Sequence, residues 1–252
     1  MAVKNPSFYS VIIGTELFNG RRKDKHFEFL NSELLKRGWE QKANFVIKDD
    51  PAFMEDVFNL VKKDPNSVMF SFGGIGATPD DYTREVAAKV FSNGIIEQNK
   101  EALKLIIDQF KEEAYPHRIN MANLPKNALL LKNIVNQVPG FGVDERFFFV
   151  PGFPEMSRHM VIEALDRFYP KNAKKFSCTF TAIASENELI EIMRSLPKDL
   201  EFSSLPKFVG DKRYVEIYIA DYDKQKVEKW CTFFKNEIAK KSIKIKPTIF
   251  NY

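Results

Sequence analysis

The chain has 252 residues, 44% of them apolar and 24 of them phenylalanine. That is enough core material to exclude disorder, and enough length for one large domain or one domain with a small companion. Its 38 basic and 34 acidic residues leave a net charge of +4, a well-solvated surface rather than a nucleic-acid footprint. No apolar run approaches the ~18 residues needed to cross a bilayer. The opening MAVKNPSFYS lacks the apolar stretch of a signal peptide. A cytoplasmic protein with neither a membrane nor a nucleic-acid partner is expected.

Residues 8 to 13 read as a short apolar strand ending at Gly14. Residues 26 to 37 carry Phe27, Leu30, Leu34 and Leu35 at helical spacing, stopped by Gly38. A strand over 43 to 47 follows, and Pro51 opens a helix with Phe53, Val57, Leu60 and Val61 on its apolar face. The strand 67 to 72 runs into a glycine turn, and a helix is expected from Thr78 to about Phe91. A further helix is expected from Ile95 to about Lys111. The Pro-rich stretch from Ala114 to Val143 reads as binding loops. Phe147 to Val150 reads as a buried strand, and Pro151-Gly152 turns into a helix carrying Met156, Met160, Ile162 and Leu165.

Strands alternating with helices imply a mostly parallel sheet covered on both faces, with ligands beyond the carboxyl ends of its strands. KNAKK, residues 171–175, reads as a linker. A shorter βαβαβ pattern follows, ending at Ile243-Lys244-Ile245. The expected division is residues 1–170 and a small α+β domain over 176–252. Cys178 and Cys231 lie in apolar segments and are expected as buried free thiols.

Chemistry concentrates in FSFGGIGATPDDYTRE, Phe70 to Glu85. Gly73, Gly74 and Gly76 break the strand. Thr78 stands where an N-cap belongs, Pro79 at the first helical position, and Asp81 three residues after the cap. A strand, a glycine turn and a helix start present free backbone N–H groups that attract phosphate. The pair Asp80-Asp81 would repel a bare phosphate, so a divalent cation is the natural mediator. The plainer alternative stays open: Asp81 as a capping carboxylate and Asp80 as a complement to the helix dipole. The three histidines show no zinc spacing. There is no serine-nucleophile elbow, phosphate-binding Walker loop or dinucleotide fingerprint either.

GGIGATPDDYTRE closely resembles the GGxGPTPDDxTRE signature of the molybdopterin-binding fold, in the branch found at the N-terminus of CinA (competence-damage-inducible) proteins. Val11 to Gly20 is similar to that family's IGDELLxG segment, and Asp24-Lys25-His26 stands where it has Asp-Thr-Asn. Val46 to Asp50 resembles its VxDD segment, Val138-Pro139-Gly140-Phe141 its APGF, and Val150 to Met156 its LPGVPxEM. Three positions depart from the pattern: Thr15 replaces an acid, His26 an Asn, and Ala77 a Pro. The resemblance implies a three-layer α/β fold with a mostly parallel sheet, and self-association into a homo-oligomer. The deamidase domain of longer CinA proteins has no room in this chain, so its activity is not carried over.

The resemblance implies metal-dependent pyrophosphate cleavage of ADP-ribose- or FAD-like nucleotides. The alternatives are molybdopterin binding or adenylylation in molybdenum-cofactor synthesis, or an inactive scaffold or sensor. In the catalytic reading, Gly73, Gly74 and Gly76 amides hold phosphates. Asp81, with Asp80 and Asp49, places a Mg²⁺, Mn²⁺ or Co²⁺ ion, and Thr83 or Thr15 bonds a phosphate or a water. Gly14, Glu16, Thr78, Pro139, Gly140, Pro151, Gly152 and Glu155 complete the expected ligand site.

Overall fold

The computed structural model describes residues 3–171, 175–210, 212–246 and 249–251. The chain divides into two compact units, residues 1–172 and 173–252. The first holds β1 (Ser7–Ile13), α1 (Thr15–Phe18), α2 (His26–Lys36), β2 (Gln41–Ile47), α3 (Pro51–Lys62), β3 (Ser67–Phe72) and α4 (Thr83–Phe91). It continues through β4 (Ile96–Gln98), α5 (Lys100–Phe110), β5 (Asn123–Pro125), β6 (Leu129–Leu131), β7 (Gly140–Val143), β8 (Phe147–Val150) and α6 (Pro154–Phe168).

The main sheet runs β2-β1-β3-β8-β7-β6. Its first four strands are parallel, β7 runs antiparallel to β8, and β6 antiparallel to β7. The central strand β3, SVMFSF, is buried at every position, as expected where helices cover both faces of a parallel sheet. Alternation along the strands sorts side chains to two cores. Tyr9, Val11, Ile13 and Met69 pack beneath α3, α4 and α5, and Phe8, Ile12, Phe70 and Phe72 beneath α2 and α6. The mostly parallel three-layer α/β architecture is the one expected.

Local boundaries differ in instructive ways. Helix α4 begins at Thr83, not Thr78. The Asp81 carboxylate accepts the Thr78 N–H and hydroxyl, and the Asp81 N–H donates to the Thr78 carbonyl, but these bonds close a single turn. The helix starts only where Thr83 can bond back to the glycine turn. On α3 the buried face is Met54, Val57, Phe58 and Val61, one residue round from the expected stripe, so Phe53 and Leu60 are exposed. On α2, Leu30 and Leu34 are buried, while Phe27 and Leu35 face outward. The expected helix from Ile95 is instead β4, paired antiparallel with β5, followed by α5. Asn99 caps α5 by accepting the Glu101 and Ala102 N–H groups.

The second unit holds β9 (Phe176–Ala182), α7 (Glu186–Arg194), β10 (Glu201–Val209), β11 (Lys212–Asp221), α8 (Lys224–Lys240) and β12 (Ile249–Asn251) in a sheet ordered β10-β11-β9-β12. Strand β10 adds to the expected pattern. It lies at a sheet edge, where Pro206 is tolerated. Ile245 makes only an isolated bridge to Ala182. Cys178 and Cys231 are not free: a disulfide joins β9 to α8, with the two Cα atoms 6.4 Å apart. Of the expected linker, residues 172–174 lie outside the described residues.

Candidate functional site: a glycine-turn cleft

Strands β1, β3 and β8 run parallel and end together, at Gly14, Gly73 and Pro151-Gly152. The Gly73 N–H donates to the Val150 carbonyl at 2.9 Å, and the Gly14 N–H to the Ile47 carbonyl at 3.1 Å. Beyond these ends lies a cleft of about 480 Å³, within the range of small-molecule sites. Its polar groups come chiefly from the turn after β3.

Each carbonyl from Gly73 to Gly76 is tied back to the start of α4. The Thr83 hydroxyl donates to Gly73 O at 3.0 Å, and the Thr83 N–H to Gly74 O at 3.0 Å. The Arg84 guanidinium donates to Ile75 O and Gly76 O, each at 2.5 Å. In a trans peptide the N–H points opposite the preceding C=O. The amides of Gly74, Ile75, Gly76 and Ala77 are therefore turned away from α4, and none donates to another group among the described residues. All four of these residues line the cleft. Successive outward amides of this kind form an anion cradle. Gly73 and Gly74 have φ of +102° and +68°. A Cβ at Gly73 would meet Ile13 O at 2.4 Å, and one at Gly74 would meet the Thr83 hydroxyl at 2.3 Å. Glycine is required at both.

The cleft brings together Gly14, Glu16, Asp49, Gly73, Gly74, Gly76, Thr78, Asp80, Asp81, Pro139, Pro151 and Gly152. Other expected site residues lie elsewhere. Thr83 is fully buried, with its hydroxyl and N–H committed to the turn carbonyls, so it holds the turn from behind. Gly140 is buried in β7, where a Cβ would press on Phe149 O at 2.7 Å; its small size serves sheet packing. Glu155 lines a smaller neighbouring pocket of about 260 Å³. Thr15 pairs with Asp49: its N–H donates to the carboxylate at 2.7 Å, and its hydroxyl accepts the Asp49 N–H at 3.3 Å. That pair fastens the end of β1 to the end of β2.

The acids are only partly free. Asp81 accepts both the Thr78 N–H, at 2.8 Å, and the Thr78 hydroxyl, at 2.6 Å, on a single carboxylate oxygen. Glu16 is paired with Arg22 at 3.3 Å. Among the described residues no three His, Cys, Asp or Glu side chains converge as a metal centre. Asp49 and Asp81 thus make no preformed cage. The donor set suits only a Mg²⁺-type ion shared with a ligand's phosphates, which needs one or two carboxylates from the protein.

Phe110, Met121, Asn133 and Asn136 carried little functional signal in the sequence, whereas Val138, Phe153 and Met156 lie in the segments similar to APGF and LPGVPxEM. Phe110, Met121, Val138, Phe153 and Met156 give the cleft an apolar side, with Asn133 and Asn136 beside them. Arg84, read only as part of the TRE signature, is the turn's second anchor, and burial lowers its pKa. His26 is buried against Phe72, the ring centroids 4.5 Å apart, and its Nε2 lies 3.3 Å from Gly152 O. Burial lowers its pKa. The neutral tautomer with hydrogen on Nε2 donates to Gly152 and leaves Nδ1 facing the Ser157 hydroxyl at 3.5 Å. His26 therefore supports the Pro151-Gly152 wall.

The fold is a mostly parallel α/β domain with a glycine turn at its strand ends. Residues 10–170 match the family model described as "Probable molybdopterin binding domain", and the chain belongs to that family. It is 26% identical over 213 residues to a CinA-like protein of Fusobacterium nucleatum, covering 84% of this chain and 50% of that one. It is 28% identical over 247 residues to a protein of Pyrococcus furiosus, covering 90% of this chain and 95% of that one. The chain thus spans about half the length of the CinA-like relative but nearly all of the archaeal one. Among solved structures, the protein CinA of Thermoplasma acidophilum, described as of unknown function, superposes with a TM-score of 0.57. That match has 25% identity over 64% of this chain and 97% of that one. No described helix is long and apolar enough to cross a membrane.

Proposed function

We propose that the chain binds a phosphate-bearing pterin of the molybdopterin type in the glycine-turn cleft. One observation carries the reading: the carbonyls of Gly73 to Gly76 are all tied to Thr83 and Arg84, which leaves four amides for an anion. Those amides hold the phosphate. The apolar side formed by Phe110, Met121 and Met156 takes the ring, at a cost in desolvation that a flat heterocycle meets better than a sugar would. Membership in a molybdopterin-binding family supports the same ligand class.

Metal-dependent cleavage of a nucleotide diphosphate is the second reading, favoured by Asp80 and Asp81 standing together at the cleft. There a divalent ion shared with the phosphates would supply Lewis acidity. The protein's own part would be the amide cradle, which stabilises charge on the phosphoryl oxygens. One experiment separates the two. Binding of molybdopterin and of ADP-ribose is measured by calorimetry with and without Mg²⁺, Mn²⁺ or Co²⁺, and AMP release is followed in parallel. The proposal expects molybdopterin binding that survives a chelator, with no AMP released. AMP release that requires metal would establish the hydrolase instead. Absence of binding to either would leave a scaffold.

A further inference from the structure

Asn133 and Asn136 are both amides beside the cleft, but their hydrogen-bonding capacity is used very differently. The Asn133 side chain is saturated. Its Nδ2 donates to Asn136 Oδ1 at 2.5 Å and to the Val138 carbonyl at 2.9 Å, and its Oδ1 accepts the Val135 and Asn136 N–H groups. It builds the loop and has nothing left for a ligand. Asn136 has its oxygen fully engaged, accepting from Asn133 Nδ2 and from the Val138 N–H at 3.1 Å. Its Nδ2 meets only the Met156 thioether, at 3.7 Å, a weak acceptor. The amide cannot flip, because flipping would set its NH₂ against two donors. A half-buried NH₂ group is thus fixed in the cleft with unspent donor capacity.

We infer that Asn136 is a specificity-determining residue whose Nδ2 hydrogen-bonds an acceptor on the ligand's ring, a carbonyl oxygen or an unprotonated ring nitrogen. The inference rests on the pterin-phosphate reading and deepens it. The cradle amides recognise phosphate whatever it is attached to, and the apolar side accepts any flat ring. Asn136 is the group that tells an oxo-heterocycle from a hydrocarbon ring. A site built around a fixed donor rejects ligands that leave it unpaired.

The test compares neopterin monophosphate with inorganic phosphate on the full chain, using wild type, Asn136→Asp and Asn136→Ala. Asn136→Asp keeps the oxygen that Asn133 and Val138 bond and replaces the donor by an acceptor. The expected result is a loss of at least tenfold in neopterin monophosphate affinity for Asn136→Asp and several-fold for Asn136→Ala. Affinity for inorganic phosphate should change less than threefold in Asn136→Ala. Circular dichroism confirms folding, and Asn136→Ala carries the test if Asn136→Asp does not fold. Wild-type preference for neopterin monophosphate that both variants retain would overturn the role of Asn136 and leave the pterin reading standing. Equal wild-type affinity for the two probes would overturn both.

Discussion

The Thr83 hydroxyl donates to the Gly73 carbonyl at 3.0 Å from a fully buried position. Helix α4 thereby holds the turn that precedes it. Thr83→Val keeps the shape and removes the donor, leaving a buried carbonyl unpaired at a cost of about 1–3 kcal/mol. Urea unfolding should show that loss, with inorganic phosphate binding weakened alongside. Thr83→Ser should recover most of the binding.

Arg84 acts on the same turn two peptides further along, through the Ile75 and Gly76 carbonyls. Arg84→Met should weaken phosphate binding by tenfold or more, because the Gly76 and Ala77 amides lose their fixed direction. A backbone that must be ordered on binding costs affinity. Retention of full affinity in this variant, measured by calorimetry, would show that the guanidinium does not order the cradle.

Two glycines with similar positive φ should respond differently to alanine. Gly20 has φ of +76° with open space around its missing Cβ, whereas Gly74, at +68°, would place a Cβ 2.3 Å from the Thr83 hydroxyl. Gly20→Ala should lose only the left-handed penalty of about 1–2 kcal/mol. Gly74→Ala should lose more than that, together with ligand binding. Equal losses in thermal or urea unfolding would count against the close packing of turn and helix.

His26 is held neutral by burial, its pKa below the ordinary imidazole value. The unfolded chain therefore binds a proton that the folded chain resists, so stability rises with pH across that interval. As pH falls below about 6.5, stability should decline until the folded pKa is passed. His26→Asn, which offers Gly152 an amide donor without a titrating ring, should flatten that part of the stability profile. Urea midpoints at pH 7.5 and pH 5 for the two proteins provide the check.

Sequence patterning carried the framework well, because buried parallel strands such as Ser67–Phe72 announce themselves as continuous apolar runs. The glycine turn was equally legible, since Gly73 and Gly74 stand where only glycine fits. What the sequence hid was which partner each polar group had chosen. Thr78 and Asp81 carry the pattern of a helix cap, yet they close an isolated turn, because the bonds that start α4 come from Thr83 at longer range. Asp49 carried no mark of its partnership with Thr15, 34 residues away. Asn136 lay in a stretch read as binding loops with no mark on that residue, and the difference between its spent oxygen and unspent nitrogen exists only in the folded geometry.

Amide NMR reads out whether the backbone N–H groups of Gly74, Ile75, Gly76 and Ala77 hold an anion. The ¹⁵N-labelled protein is titrated with inorganic phosphate and then with neopterin monophosphate. These four resonances should move together and saturate with one affinity for each ligand, and Arg84→Met should abolish the common response. Ligand binding that shifts other residues and leaves these four in place would contradict the anion cradle.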